Sequence, residues 1–277
     1  MVVAFALLAA VVYGAADFVG GFASRHRSAI TVLLYANPVG AALMLALLPA
    51  FSGPLSARTV LLGIGGGAGG MVGVIVMYSL MARAPMNIIS PVTAVFAAVV
   101  PVGFGVIVGE RPHVAAWFGI ALGLLAVVLV SRTPDDHPHG SVGARILALA
   151  CLSGCGFGTY FICLARADHN SGLWPLVISR LAEVALIVPI ARQRGAAVAL
   201  RGRVLGLAAL CGVFDASANL FFLLASRHGL LSLASVITSL YPAMTVLLAV
   251  TLLHEHTGRL QRVGLALAAA SIVLITY

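Results

Sequence analysis

The sequence predicts an all-α integral membrane protein of ten transmembrane helices, arranged as two inverted five-helix repeats. Of 277 residues, 61% are hydrophobic and 9% charged, with a mean hydropathy of +1.11. A soluble domain carries roughly 25% charged residues. The apolar residues fall into ten segments of about 18–24 residues, the length of helix that crosses about 30 Å of hydrocarbon. One polar connection of any length, "SRTPDDHPHGSVGAR" from Ser131 to Arg145, divides the ten segments into five and five.

The expected spans are 2–23, 29–51, 60–82, 86–109, 113–131, 145–166, 172–191, 203–226, 230–253 and 259–276. Short turns bearing Arg, Pro, Gly or His separate them. Span 1 has no basic region before it and is longer than a signal-peptide core, so it is expected to be retained as a helix. The first repeat is then 1–131, the connecting loop 132–144 and the second repeat 145–277. Sliding one half along the other by 145 residues lays "SPVTAVFA" (Ser90 to Ala97) on "SVITSLYP" (Ser235 to Pro242) and Glu110 on Glu255. Five crossings is an odd number, so the second repeat must enter from the opposite side. Inverted repeats of this kind are the architecture of secondary transporters, with the substrate near the midplane.

The charge of +8 comes from 16 Arg and no Lys. Turns after odd-numbered spans hold Arg25, Arg27, Arg83, Arg132, Arg145, Arg192, Arg194, Arg201, Arg203, Arg259 and Arg262, against Arg58, Arg111, Arg166 and Arg227 on the other side. This is a topology signal, not a nucleic-acid footprint, and it predicts that both termini face outward from the cytoplasmic membrane. Cys151, Cys155, Cys163 and Cys211 all fall within spans without metal-ligand spacing, as packing residues do. No nucleotide-binding motif is present, and neither cofactor nor metal is expected.

The "YGAADFVGGFASR" opening, "SPVTAVFA" with "SVITSLYP", and the "GERP" turn with its partner "HEH" occur in the order and spacing of a known family. The whole chain resembles EamA-type members of the drug/metabolite transporter superfamily. The resemblance implies a carrier for small organic solutes, often an exporter, with a cavity lined mainly by helices 1, 3, 4, 6, 8 and 9. It also implies cytoplasmic termini, opposite to the Arg count. Ala97 stands where Pro242 of the other half suggests Pro, and Asn37 stands near the position answering Arg180, so the cavity is expected to be asymmetric.

Four ionisable residues lie inside spans: Asp17, Arg180, Glu183 and Asp215. Each costs about 2.5–3.5 kcal/mol on insertion scales unless it finds a partner, a proton or water. Arg180 and Glu183, at i and i+3, can neutralise each other; alternatively, Arg180 holds a substrate carboxylate through its planar fork. Asp215 begins a polar stripe that Asn219 continues toward Ser226, facing either a helix neighbour or the cavity. Asp17, with Tyr13 one turn before it and Gly20 and Gly21 after it, is either a structural partner of Arg180 or Arg25, or a proton site. A carboxyl out of water holds its proton more tightly, and the same argument applies to Asp215.

Asn87, Ser90 and Thr93 in span 4 match Ser232, Ser235 and Thr238 in span 9, three apart along one face. Such hydroxyls can return a bond to helix carbonyls, or they can line a cavity wall opened by Pro91, Pro101 and Pro242. Tyr160 and Tyr241 are candidate cavity aromatics. "GIGGGAGGMVG", Gly63 to Gly73, carries small-xxx-small pairs for close helix packing; neither a Lys nor a strand accompanies it as a phosphate loop would require. Glu110 and Glu255, near the starts of helices 5 and 10, suit the helix dipole.

The candidate substrate- or proton-binding set is therefore Tyr13, Asp17, Asn87, Ser90, Thr93, Tyr160, Arg180, Asp215, Asn219, Ser235, Thr238 and Tyr241. The function expected is secondary transport, by proton exchange, of a small metabolite, amino acid or drug-like compound, by a monomer or homodimer in the lipid bilayer. The alternatives are a membrane-embedded enzyme acting on a lipid or prenyl carrier, and a passive channel. An enzyme would need a catalytic cluster at one membrane face, whereas all eight His are scattered over turns.

Overall fold

The computed structural model describes residues 1–24, 26–81, 86–130, 144–196, 199–253 and 258–276. Among these the protein is all helix: α1 (Val2–Ser24), α2 (Ala29–Leu47), a 3-10 turn (Leu48–Phe51), α3 (Ala57–Met81), α4 (Met86–Ile107), α5 (Val114–Val130), α6 (Ala144–Arg166), α7 (Trp174–Gln193), α8 (Gly202–His228), α9 (Leu231–Thr238), α10 (Tyr241–Leu253) and α11 (Arg259–Thr276). Six of them, α1, α2 with its 3-10 turn, α3, α6, α7 and α8, carry apolar stretches long enough to cross a membrane; α4, α5 and α9 carry shorter ones. Large apolar side chains such as Leu61, Ile107, Val114 and Phe118 point outward, as expected where the surrounding medium is hydrocarbon rather than water.

Span 9 is not one helix. The ring of Pro242 supplies no N–H to the carbonyl of Thr238 four residues back and crowds it, so α9 ends at Thr238 and α10 starts at Tyr241. The junction is held by Ser239 N–H on the Ser235 carbonyl (2.9 Å) and Leu240 N–H on the Ile237 carbonyl (3.1 Å). Of the three prolines expected to open helices, this one does so. α4 runs unbroken past Pro91 and Pro101.

Helix packing follows the internal repeat. α1 packs on α8 and α3 on α6; α2 packs on α8 and α3 on α7; α5 packs on α11, and α2 on α7. Exchanging the two halves maps each contact onto another in the set or onto itself. The glycine-rich stretch of α3 explains how its backbone comes so close to two neighbours. Gly63 and Gly67 face Ile178 and Ser179 of α7, while Gly66, Gly69 and Gly73 face Cys163, Gly156 and Phe157 of α6. A Cβ on Gly156 would lie 2.7 Å from the Gly69 carbonyl oxygen and 2.9 Å from the Gly73 nitrogen, so only hydrogen fits. Without water to drive helices together, such close approach is the source of van der Waals cohesion in a membrane.

At one end of the bundle a set of polar bonds joins the two repeats. The Glu110 carboxylate accepts the N–H groups of Leu231 (2.7 Å) and Ser232 (3.0 Å), capping the first turn of α9. Glu110 thus serves the dipole of α9 in the other repeat, not that of α5 next to it in sequence. Glu255 lies outside the described residues. At the same end Asp168 accepts from Ser56 and from Thr59 (3.3 Å), and the Leu173 N–H donates to the Phe51 carbonyl (3.1 Å). Arg227 donates to the Gly172 carbonyl (2.8 Å) and to Ser171 (3.3 Å). Gly172, at φ +56°, turns where a Cβ would meet the Phe51 carbonyl.

Two stability outcomes follow, both read by thermal unfolding in detergent. Gly156→Ala is expected to destabilise by about 1–3 kcal/mol through overpacking, whereas Gly206→Ala, with open space at its Cβ, is neutral or gains up to about 1 kcal/mol of helix propensity. Glu110→Ala is expected to cost about 1–2 kcal/mol, in the range of lost helix caps. Equal stability of Gly156→Ala and Gly206→Ala would remove the close-packing argument for α3.

Candidate functional site

A cavity lies at mid-bundle between the two repeats, with about 100 Å³ open to water centres; one water needs roughly 10–15 Å³. It therefore has room for several waters or a small solute. Its walls come from α1 (Tyr13, Asp17), α2 (Ala36, Asn37), α3 (Gly70, Val74), α6 (Tyr160, Phe161), α7 (Arg180, Glu183), α8 (Cys211, Asp215, Asn219) and α10 (Tyr241), with Ala97 alone from α4. α2 and α7 thus contribute as fully as the helices named by the resemblance. Helix 4 contributes less than expected.

Arg180 organises the polar side of this space. Its side chain is 3% exposed, and it donates from Nη1 to Glu183 at 2.8 Å and from Nη2 to Asp215. The helix geometry dictates the first pair, since i and i+3 lie on one face; the second joins α7 to α8. Both Nη groups of Arg180 are therefore committed to carboxylates of this chain. The guanidinium Nε has no hydrogen-bond partner among the described residues. Asp17 lines the same cavity but forms no ion pair with Arg180; among the described residues the ion pairs of Arg180 are with Glu183 and Asp215. The structural pairing of Asp17 with Arg180 that the sequence allowed is therefore not made, and Arg25 lies outside the described residues.

Asn219 connects α8 back to α1. Its Nδ2 donates to the Asp215 carbonyl oxygen one turn earlier (2.7 Å), and its Oδ1 accepts from the Tyr13 hydroxyl. The polar stripe of α8 thus faces the cavity at Asp215 and Asn219, while Ser226 farther along returns its bond to the Leu223 carbonyl (2.9 Å). A chain of rings continues from Tyr13: Tyr241 lies 6.3 Å away between centroids, Phe161 6.2 Å, and Tyr160 is 6.1 Å from Phe161. Asn37, 5% exposed, leaves its amide nitrogen without a hydrogen-bond partner among the described residues.

Of the residues expected at the site, the cavity gathers Tyr13, Asp17, Tyr160, Arg180, Asp215, Asn219 and Tyr241. It does not gather Thr93, Ser235 or Thr238. All three are fully buried: Thr93 donates to the Ala150 carbonyl of α6 at 3.4 Å, and Ser235 and Thr238 have no side-chain hydrogen-bond partner among the described residues. The register of α4 and α9 turns this polar face into helix contacts, because α9 packs between α4, α1 and α5. The side chains of Asn87 and Ser90 lie outside the described residues. The sequence reading missed the wall roles of Asn37, Cys211 and Glu183. Asn37 and Glu183 carried a signal, as polar residues at mid-span; Cys211 carried none.

The EamA-like transporter family matches this sequence over residues 1–132 and again over 144–277. The chain belongs to that family. It carries two copies of the EamA repeat, which accounts for the exchange symmetry of its helix contacts. Twenty-eight chains of solved structure match it. One, described simply as the crystal structure of a protein, aligns with a TM-score of 0.80 and 16% identity over 99% of this chain and 96% of its own; at that identity the likeness shows the fold alone. No curated protein matches the chain. As an EamA-like protein it is a multi-pass membrane protein of a transporter family.

The Arg180 pairing predicts an asymmetry among variants. Arg180→Ala leaves Glu183, 8% exposed in its side chain, buried without its counter-charge, and is expected to cost about 3–5 kcal/mol. Asp215→Asn is expected to cost much less, because the Asp215 side chain is 36% exposed to the cavity and its pair is screened. Chemical denaturation in detergent would read both. An Arg180→Ala protein as stable as the parent would show that the pairing is not a structural requirement.

Proposed function

We propose that this EamA-like protein is a secondary active carrier of ten crossings in two inverted repeats, exporting a small organic solute across the cytoplasmic membrane in exchange for protons. The observation that carries the proposal is the mid-bundle cavity with Asp17 on its wall, bearing neither a hydrogen bond nor an ion pair among the described residues. A carboxyl in that position can take up a proton from one side and release it to the other as the cavity changes access. Asp215 and Glu183 are instead engaged in ion pairs with Arg180.

Alternating access requires the ties between the repeats to part. The groups that must separate there are Asp168 from Ser56 and Thr59. The hydrogen-lined contacts of α3 with α6 and α7 permit sliding without interlocked side chains. The mid-depth position of the acidic groups disfavours an enzyme working on a lipid headgroup at the membrane face.

Reconstituted protein is expected to show counterflow, with trans solute accelerating exchange, and solute movement driven by an imposed pH gradient. Asp17→Asn is expected to lose the response of solute movement to the gradient by about tenfold or more, the usual scale of losing one proton-transfer group. An Asp17→Asn protein still fully driven by the gradient would remove Asp17 from the coupling.

A further inference from the structure

The cavity wall also carries information about the charge of the solute. Three carboxyl groups, of Asp17, Glu183 and Asp215, line it together with one guanidinium, that of Arg180. With all four ionised, the wall holds two negative charges in excess. The charge of Arg180 is already shared with Glu183 and Asp215, so little of it is left to hold a solute carboxylate. An entering carboxylate would meet Asp17 and Asp215 beside a guanidinium that is already neutralised.

The unsatisfied groups suit a different solute. Asp17 offers acceptor oxygens with no described partner. Tyr13, one helical turn before Asp17, and Tyr241, 6.3 Å from Tyr13 between ring centroids, present aromatic faces and edges along the same wall. A cation near such rings gains from their quadrupoles, most when water is excluded. The amide nitrogen of Asn37 and the Nε of Arg180, 5% and 3% exposed and without acceptors among the described residues, donate into a buried setting where an unmade bond is costly. A neutral oxygen on the solute, hydroxyl or carbonyl, satisfies either without adding negative charge.

We infer that the cavity binds an organic monocation, an ammonium compound lacking a carboxylate, with its charge at Asp17 and its apolar part against Tyr13, Phe161 and Tyr241. The inference rests on the carrier reading only in taking this cavity as the solute site. It narrows the substrate class from small organic solutes to amines and quaternary ammonium compounds, and it excludes amino acids and organic acids.

A matched set of probes separates the possibilities: phenethylamine, phenylalanine and 3-phenylpropionate share one ring and differ in carrying an ammonium, both charges, or a carboxylate. Binding to the full-length protein in detergent, by calorimetry, and counterflow in liposomes are measured for each. Phenethylamine is expected to bind at least about tenfold more tightly than the other two, since like-charge juxtaposition penalises both carboxylates. Asp17→Asn should lose that preference, with folding verified by circular dichroism and size exclusion. Asp17→Glu should keep it. Phenylalanine or phenylpropionate binding as well as the amine, failure of the amine to bind, or an Asp17→Asn protein with unchanged preference would each overturn the inference. Amine binding without counterflow would uphold it while counting against the carrier reading; counterflow of the zwitterion alone would do the reverse.

Discussion

A guanidinium held in the middle of an apolar bundle is the constraint around which the rest of this structure is arranged. Arg180 cannot reach bulk water from mid-span, and a lone charge there is costly enough to prevent insertion or folding. The helix answers the first part locally with Glu183 at i+3, and the fold answers the second part by bringing Asp215 across from α8. That pair makes α7 and α8 dependent on each other, and Asn219 extends the dependence to Tyr13 on α1. The polar side of the cavity is thus one connected hydrogen-bonded unit. The carboxyl outside it is Asp17, and this exclusion is what gives Asp17 its chemical freedom.

The bundle that holds this unit is joined by backbone proximity rather than by large interlocking side chains. Close approach of α3 to α6 and α7 is possible because Gly67, Gly69, Gly156 and their neighbours present hydrogen where a methyl would collide. The counterpart contact, Gly40 and Gly212 between α2 and α8, repeats the device in the exchanged position, with the Gly212 carbonyl 3.2 Å from a Cβ built on Gly40. These smooth contacts surround the cavity, while side-chain ties at Glu110, Asp168 and Arg227 lie at one end. Cohesion and mobility are therefore located in different places. Any change of access must break the end ties and can leave the glycine contacts in sliding register.

Much of this was legible from residue order. Hydropathy alone predicted helices at nearly every position found, and the 145-residue repeat anticipated the exchange symmetry of the contacts. Asp17, Arg180 and Asp215 stood out because charges are rare in apolar spans. What sequence could not supply was partner choice. The shift of 145 places Asp215 on Gly70 and Asn219 on Val74; the repeat has an acid and an amide in one half and apolar residues in the other, and both Gly70 and Val74 reach the same cavity. The repeat therefore says where the wall is but not which charges meet. Thr93, Ser235 and Thr238 misled for a related reason. Their three-residue spacing defines a face, and only the crossing of α4 and α9 with their neighbours decides that the face is packed instead of open. The break before Pro242 was foreshadowed by the residue itself; Glu110 capping α9 was not, because the cap is made across the repeats.

The central claim is that Asp17, the cavity carboxyl outside the hydrogen-bonded unit of Arg180, is the one that exchanges its proton as solute moves. Infrared difference spectroscopy of the protein in liposomes, titrated across pH, observes the carbonyl stretch of protonated carboxyl groups directly. A component of the protonated-carboxyl band, additional to that of the carboxyls in the turns, that appears on acidification in the parent, Glu183→Gln and Asp215→Asn proteins and is missing from Asp17→Asn is the predicted result. An Asp17→Asn protein whose band matches the parent's in full would contradict the account at its foundation.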